Sequence, residues 1–148
     1  MVIIREMEDN HENLERLSAF LKCIDDTFPI PLSDRVDIDA YSLKSLSKGV
    51  VLYSEDSGKI IGTLLGYAND YTTKAAYIGT IGVLEEYRLC GIGTSLINSM
   101  KNISRRNGMT SLSLFTHETN ERAVRFYRRN GFVIENPTHE RKGSIFMV

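Results

Sequence analysis

The chain between Gly82 and Ile97 is the feature that most limits what this protein can fold into. An apolar run closing on Gly82-Val83-Leu84 reads as a strand, and Ile92, Leu96, Met100 and Ile103 recur at helical spacing just beyond it. Between them, Arg88-Leu89-Cys90-Gly91-Ile92-Gly93 has to turn one into the other. Such a turn is an anion cradle in outline. Glycine lets backbone N–H groups approach a ligand without a Cβ in the way, and the helix start offers unpaired N–H groups at its positive end. Arg88 adds a full charge beside them, and a pyrophosphate fits this description. Two phosphate motifs are excluded. The Walker pattern needs Lys directly after its last glycine, where Thr94 stands, and the dinucleotide fingerprint needs a third glycine where Leu96 stands.

What the turn does match is Arg-x-x-Gly-x-Gly, as Arg88, Gly91 and Gly93. A second segment, Asn120-Glu121-Arg122-Ala123-Val124-Arg125-Phe126-Tyr127-Arg128-Arg129-Asn130-Gly131-Phe132, has the form Asn-x-x-Ala-x-x-Phe-Tyr-x-x-x-Gly-Phe. Ala123, Phe126 and Tyr127 share one helical face at this spacing, and Gly131 supplies the φ > 0 residue that ends the helix. With both motifs in this order, the chain resembles the GNAT superfamily of acetyl-CoA-dependent N-acetyltransferases. The resemblance covers the chain from about Gly49 onward. Its C-terminal half is similar to the ribosomal-protein N-terminal acetyltransferases.

The resemblance implies a GNAT-like α/β fold: a mixed, mostly antiparallel central sheet flanked by helices and splayed at the CoA-binding strand. It also implies a donor site. The loop and helix start, Arg88, Leu89, Cys90, Gly91, Ile92, Gly93, Thr94 and Ser95, would grip the CoA pyrophosphate, while Ile81, Gly82, Val83 and Asn120 would meet the pantetheine arm. Asn120 reads equally as a helix N-cap. Tyr87 is expected to pack and position the loop, and Cys90 to be a plain loop residue, because direct transfer needs no acyl-cysteine.

Composition bounds the alternatives. A chain of 148 residues suits one domain over residues 1–148, with a core that needs neither disulfide nor metal. Its net charge of −1 gives no global field for nucleic acid. Arg105, Arg106, Arg122, Arg125, Arg128 and Arg129 are either solvated helix faces or partners for CoA phosphates. Cys23 and Cys90 have no metal-ligand spacing. The first residues are too short an apolar run for a signal peptide and no stretch would span a bilayer, so a cytoplasmic setting without membrane partners is expected. The oligomeric state stays open, a homodimer included.

Periodicity predicts a strand over Val2–Met7, then a helix with Leu14, Leu17, Leu21, Ile24 and Phe28 on one face, ended by Pro29 and Pro31. An irregular Pro29–Asp39 segment follows, where the resemblance places acceptor-binding loops and where Asp34, Arg35, Asp37 and Asp39 are candidate contacts. A short helix around Ala40–Leu46 leads to a hairpin of Val50–Ser54 and Lys59–Tyr67 around Glu55-Asp56-Ser57-Gly58. Strands at Ala76–Val83 and Thr110–Thr116, a helix at Asn120–Asn130, and strands at Phe132–Glu135 and Ser144–Val148 complete the pattern.

Acetyl transfer to an amine needs a placed donor, an unprotonated amine, a polarised carbonyl and a proton for the leaving thiolate. The resemblance points to Tyr127 for the proton, with ring packing as its other reading. A phenol of pKa about 10 protonates a thiolate of pKa about 8.5 uphill by only about 2 kcal/mol. The base is less clear. The ribosomal-protein enzymes carry Glu where Phe115 stands, which leaves His117 as the nearest candidate and Asp70, Glu85 and Glu86 behind it. Neutralising a lysine-like amine at pH 7 costs about 4.6 kcal/mol, an α-amino group only about 1.4 kcal/mol. The expected activity is therefore acetyl transfer from acetyl-CoA to a low-pKa primary amine: a small metabolite, an amino sugar or a peptide N-terminus. The alternative is a CoA-binding module with impaired catalysis that senses acyl-CoA or modulates a partner.

Overall fold

The computed structural model describes residues 2–135 and the backbone of 144–147. Six strands lie in chain order across one sheet: β1 Arg5–Glu6, β2 Val50–Asp56, β3 Lys59–Tyr67, β4 Ala75–Val83, β5 Ser111–His117 and β6 Ser144–Met147. Helices α1 His11–Ile24 and α2 Ile38–Lys48 separate β1 from β2. Helix α3 Ile92–Arg106 joins β4 to β5, and α4 Glu121–Arg129 follows β5. All neighbouring strands run antiparallel except β4 and β5, whose parallel pairing requires the α3 crossover. The expected mixed, mostly antiparallel sheet flanked by helices is the observed one.

Local chemistry sets the boundaries. The β2–β3 hairpin turns on Ser57 and Gly58 at φ 52° and 82°, the doubly left-handed pair that matches strand twist. Asn10 caps α1 by accepting from the Asn13 N–H at 2.8 Å, and Leu17, Phe20, Leu21 and Ile24 bury its inner face. The helix stops at Ile24, earlier than its apolar stripe predicts. A 3-10 turn over Asp25–Thr27 replaces the last turn, and Thr27 Oγ1 donates to the Ile24 carbonyl at 2.6 Å. Phe28 is consequently extended, not helical. Burial of Ile92, Leu96, Ile97, Met100 and Ile103 along α3 contributes about 1.5–3 kcal/mol per side chain. Of the predicted Phe132–Glu135 strand only a single bridge at Ile134 forms. The predicted first strand shrinks to Arg5–Glu6, and the last residue of the predicted final strand, Val148, lies outside the described residues.

Glycines in the sheet show which helix covers which face. A Cβ on Gly62 or Gly66 would point at Ile92 or Met100 of α3, whereas one on Gly79 or Gly82 would point at Tyr41 of α2 or Ile24 of α1. The helices therefore cover opposite faces. The central event in the sheet is a parting. β4 pairs with β5 only from Ala75↔Ser111 to Ile78↔Leu114. Beyond that, the rest of β4 stays on β3 as far as Val83↔Gly62, while Phe115–His117 follow β6. A register shift at Leu65/Gly66 leaves Gly79 as an extra residue at the point of separation.

Candidate active site

Two cavities open into the parting, one of about 350 Å³ and one of about 160 Å³. Phe28, Ile81, Asn120, Ala123 and Tyr127 line both. These residues mark where the cavities meet.

The larger cavity is made by the turn from β4 into α3. Leu89 and Gly91 both take positive φ, 67° and 82°, which folds the loop back so that α3 starts at its mouth. Gly91 is the N-cap and no side chain caps the helix, so the first-turn N–H groups lack intrahelical acceptors. Arg88, Arg122 and Arg129 also line this cavity, and no Asp or Glu does among the described residues. None of these guanidiniums forms an ion pair among the described residues. The arrangement suits a polyanion. Tyr87 donates its hydroxyl to Asp56 Oδ2 at 2.6 Å, which ties the loop before the cradle to the β2–β3 hairpin.

Several expected cradle residues take other places. Cys90 is exposed and, like Ser95, does not line the cavity; Ile92 lines it, but its side chain is buried in the core. Gly93 is a glycine for a reason the motif does not disclose. A Cβ there would stand 2.8 Å from the Phe126 ring, so this glycine, which also lines the cavity, lets α4 lie against α3.

The smaller cavity has Phe28, Pro29, Ile30 and Arg35 from the loop after α1, Tyr77–Ile81 from β4, and Leu114–His117 from β5. β5 extends through His117, one residue beyond the predicted end, which brings His117 and Phe115 to the same cavity. The His117 ring is committed: Nδ1 accepts from the Thr119 N–H at 3.2 Å and lies 2.6 Å from Thr119 Oγ1. That fixes the proton of the neutral ring on Nε2 and makes it a donor there. Asn120 Oδ1 caps α4 by accepting from the Ala123 N–H at 3.2 Å.

Tyr127 is buried, its ring packed 5.4 Å from Phe126 and 5.9 Å from Phe132, and its hydroxyl has no hydrogen-bond partner among the described residues. Burial pushes its pKa well above the ordinary phenol value. The group is therefore a neutral donor at all ordinary pH, and a full proton transfer from it is more uphill than the free phenol implies.

The sequence pattern of the acetyltransferase (GNAT) family matches residues 15–132. This chain belongs to that family. It is 29% identical over 126 residues to the zebrafish (Danio rerio) N-alpha-acetyltransferase 50, an alignment covering 84% of this chain and 70% of that protein. The PaiA N-acetyltransferase of Thermoplasma acidophilum, solved in complex with coenzyme A, shares the fold at TM-score 0.77 and 18% identity, covering 99% and 97% of the two chains. The ribosomal-protein-S18-alanine N-acetyltransferase of Escherichia coli does so at TM-score 0.74 and 18% identity, covering 99% and 92%.

Within this GNAT domain, the acids and Arg35 of the Pro29–Asp39 segment are the candidate acceptor contacts that the sequence offers, with surface solubility as their other reading. Two of the acids are structural. Asp37 caps α2 through the Ala40 N–H at 3.1 Å, and Asp39 binds Lys22 at 3.1 Å and accepts from Ser18. Asp34 does not line either cavity, and neither do the base candidates Asp70, Glu85 and Glu86. Asp70 instead accepts from the Thr72 and Thr73 N–H groups in a turn. Phe28, Pro29, Ile30 and Tyr77 were missed. Phe28 sits on the helical stripe of α1 in sequence, and nothing local reports that the helix stops before it. Tyr77 reads as an ordinary strand aromatic, and its ring lies 6.0 Å from Phe115 across the β4–β5 join. Among the described residues no helix is long and apolar enough to cross a membrane, and no group of His, Cys, Asp or Glu is arranged to hold a metal ion.

Proposed function

We propose that this chain transfers an acetyl group from acetyl-CoA to a terminal α-amino group, by direct reaction where the two cavities meet. The observation that carries the reading is the division of the parting into a cradle lined by three arginines and a second cavity of mixed polar and apolar lining, the two sharing Tyr127 and Asn120. Gly91 at φ 82° and the uncapped start of α3 fit the CoA pyrophosphate, with Arg88, Arg122 and Arg129 as counter-charges. The open edge of β4 at Ile81–Val83 offers main-chain groups to the pantetheine arm, and Asn120 Nδ2 adds a donor. Residues 1–148 are read as one domain, supported by a buried core that draws on all four helices and on β2 to β5.

In the reaction the amine nitrogen attacks the thioester carbonyl, the carbon–sulfur bond breaks, and the proton that the amine gives up passes through solvent to the departing sulfur, so that CoA leaves as the thiol. Tyr127, held neutral, donates a hydrogen bond to the departing sulfur. No carboxylate lines the smaller cavity among the described residues, so the site favours an amine that gives up its proton at small cost near neutral pH. An α-amino group near pKa 8 meets that condition at about 1.4 kcal/mol. The name N-alpha-acetyltransferase carried by a relative supports the same class of acceptor.

The test is thiol release from acetyl-CoA with peptides bearing a free N-terminus, compared with N-blocked lysine peptides and amino sugars. Turnover confined to free N-termini is expected. CoA binding without turnover on any amine would favour the impaired binding module, and turnover confined to amino sugars would move the acceptor class.

A further inference from the structure

We infer that the acceptor carries a carboxylate within its first two residues and that Arg35 binds it; the inference rests on the terminal-amine reading above. Arg35 lines the smaller cavity and not the larger one, so it is separated from the arginines of the cradle. It is the only Arg or Lys among the described residues of that wall, and no Asp or Glu stands with it. The acids closest to it in sequence are engaged or turned away. Asp37 caps α2, Asp39 holds Lys22 and Ser18, and Asp34 is not part of the wall. Arg35 forms no ion pair among the described residues.

Its backbone is held in place. The Arg35 and Val36 N–H groups both bond to the Leu32 carbonyl at 3.0 Å, and the preceding turn is clamped by Asp25, which accepts from the Ser33 N–H at 2.8 Å and the Ser33 hydroxyl at 2.5 Å. These bonds to Ser33 hold the Asp25 carboxyl below its ordinary pKa, so the clamp is closed at neutral pH. A guanidinium on a fixed turn recognises a carboxylate in a planar, two-point manner that a mobile lysine does not. His117 adds a second donor in the same cavity through its Nε2–H. The remaining wall from the loop and β5 is apolar apart from Thr116, with Phe28, Pro29, Ile30 and Phe115. An acidic acceptor finds a partner here, an uncharged one finds none for Arg35, and a basic one meets repulsion.

The experiment compares kcat/KM for peptides beginning Met-Asp, Met-Asn and Met-Lys, and for the set with Asp, Asn or Lys as first residue, on the native chain, R35Q and R35E. In at least one set the acid should be preferred over its amide on the order of tenfold, the size of one charge-assisted pair. R35Q should bring that ratio within about twofold with an unchanged KM for acetyl-CoA, and R35E should turn the preference toward lysine. Equal use of acid and amide by the native chain, or a ratio that R35Q leaves intact, overturns the inference while the terminal-amine reading stands. Turnover of none of these peptides overturns both.

Discussion

The two halves of the parting are built from different materials. The larger cavity is formed by backbone at one strand-to-helix turn, by the start of α3, by Arg88 in the loop before α3 and by arginines of α4. The smaller draws on side chains from four separated stretches: the loop after α1, the bulged part of β4, the end of β5 and the first turns of α4 with its cap. Main-chain recognition is tolerant of sequence and specified locally, so it suits a ligand that does not change. Side-chain recognition from remote segments can be altered one residue at a time, which suits the partner that distinguishes one enzyme from another.

The largest effect that would test this division is expected at Gly93. Gly93→Val drives a branched side chain into the Phe126 ring, and because Phe126 lies next to Tyr127 on α4, both cavities should suffer. Affinity for CoA should fall by two orders of magnitude or more by calorimetry, with a lowered melting temperature. Loss confined to CoA binding with unchanged stability would mean that Gly93 serves ligand clearance after all.

Tyr127→Phe comes next and should separate the halves cleanly. It keeps the packed ring, so CoA affinity should hold while the chemical step slows on the order of 10²-fold. The sign of the burial effect adds a pH test. Since the phenol pKa is raised, its proton is retained through pH 10, and kcat/KM should climb with the acceptor amine near pH 8 and show no alkaline fall before pH 10. A descending limb between pH 8 and 10 that disappears in Tyr127→Phe would contradict the assignment.

Arg88→Ala should affect only the donor side. About tenfold weaker CoA binding is expected, with a shallower salt dependence and no change in acceptor preference. An altered preference among peptides would show that the two cavities are not independent.

The smallest effect concerns the bulge. Tyr41 of α2 hydrogen-bonds Thr80 Oγ1 at 2.8 Å, and a Cβ on Gly79 would lie 2.7 Å from its hydroxyl. Tyr41→Phe alone should lower kcat a few-fold by loosening β4 where it leaves β5. Gly79→Ala should be more damaging in the native background than in Tyr41→Phe, because removing the hydroxyl removes the clash. Strict additivity in that double-mutant cycle would break the proposed contact.

What was legible in sequence follows the same division. Arg88, Gly91 and Tyr127, which line the cavities, could be singled out because their spacing along one turn and one helix is local. Gly93 lines the cradle as its motif suggests, but its contact with Phe126 was not legible, since that partner lies a whole strand away in the chain. Phe28, Ile30, Tyr77 and Tyr41 were not found, because their importance depends on where α1 stops and which face of β4 meets α2. Predicted strand Phe132–Glu135 had the right residue types, yet strand formation depends on a neighbour to pair with, and only Ile134 gained one.

The parting also makes the sheet two ladders held by a seam only four residue pairs long, Ala75–Ile78 against Ser111–Leu114, between segments far apart in the chain. Local opening measured by amide hydrogen exchange would start at that seam sooner than within β2–β3, whose pairing is longer and closed by a tight turn. A substrate lodged there would tie the two ladders to each other. At a hundred times its dissociation constant it would add about 2.7 kcal/mol to the folded state, so acetyl-CoA would act as a structural strut as well as a reagent.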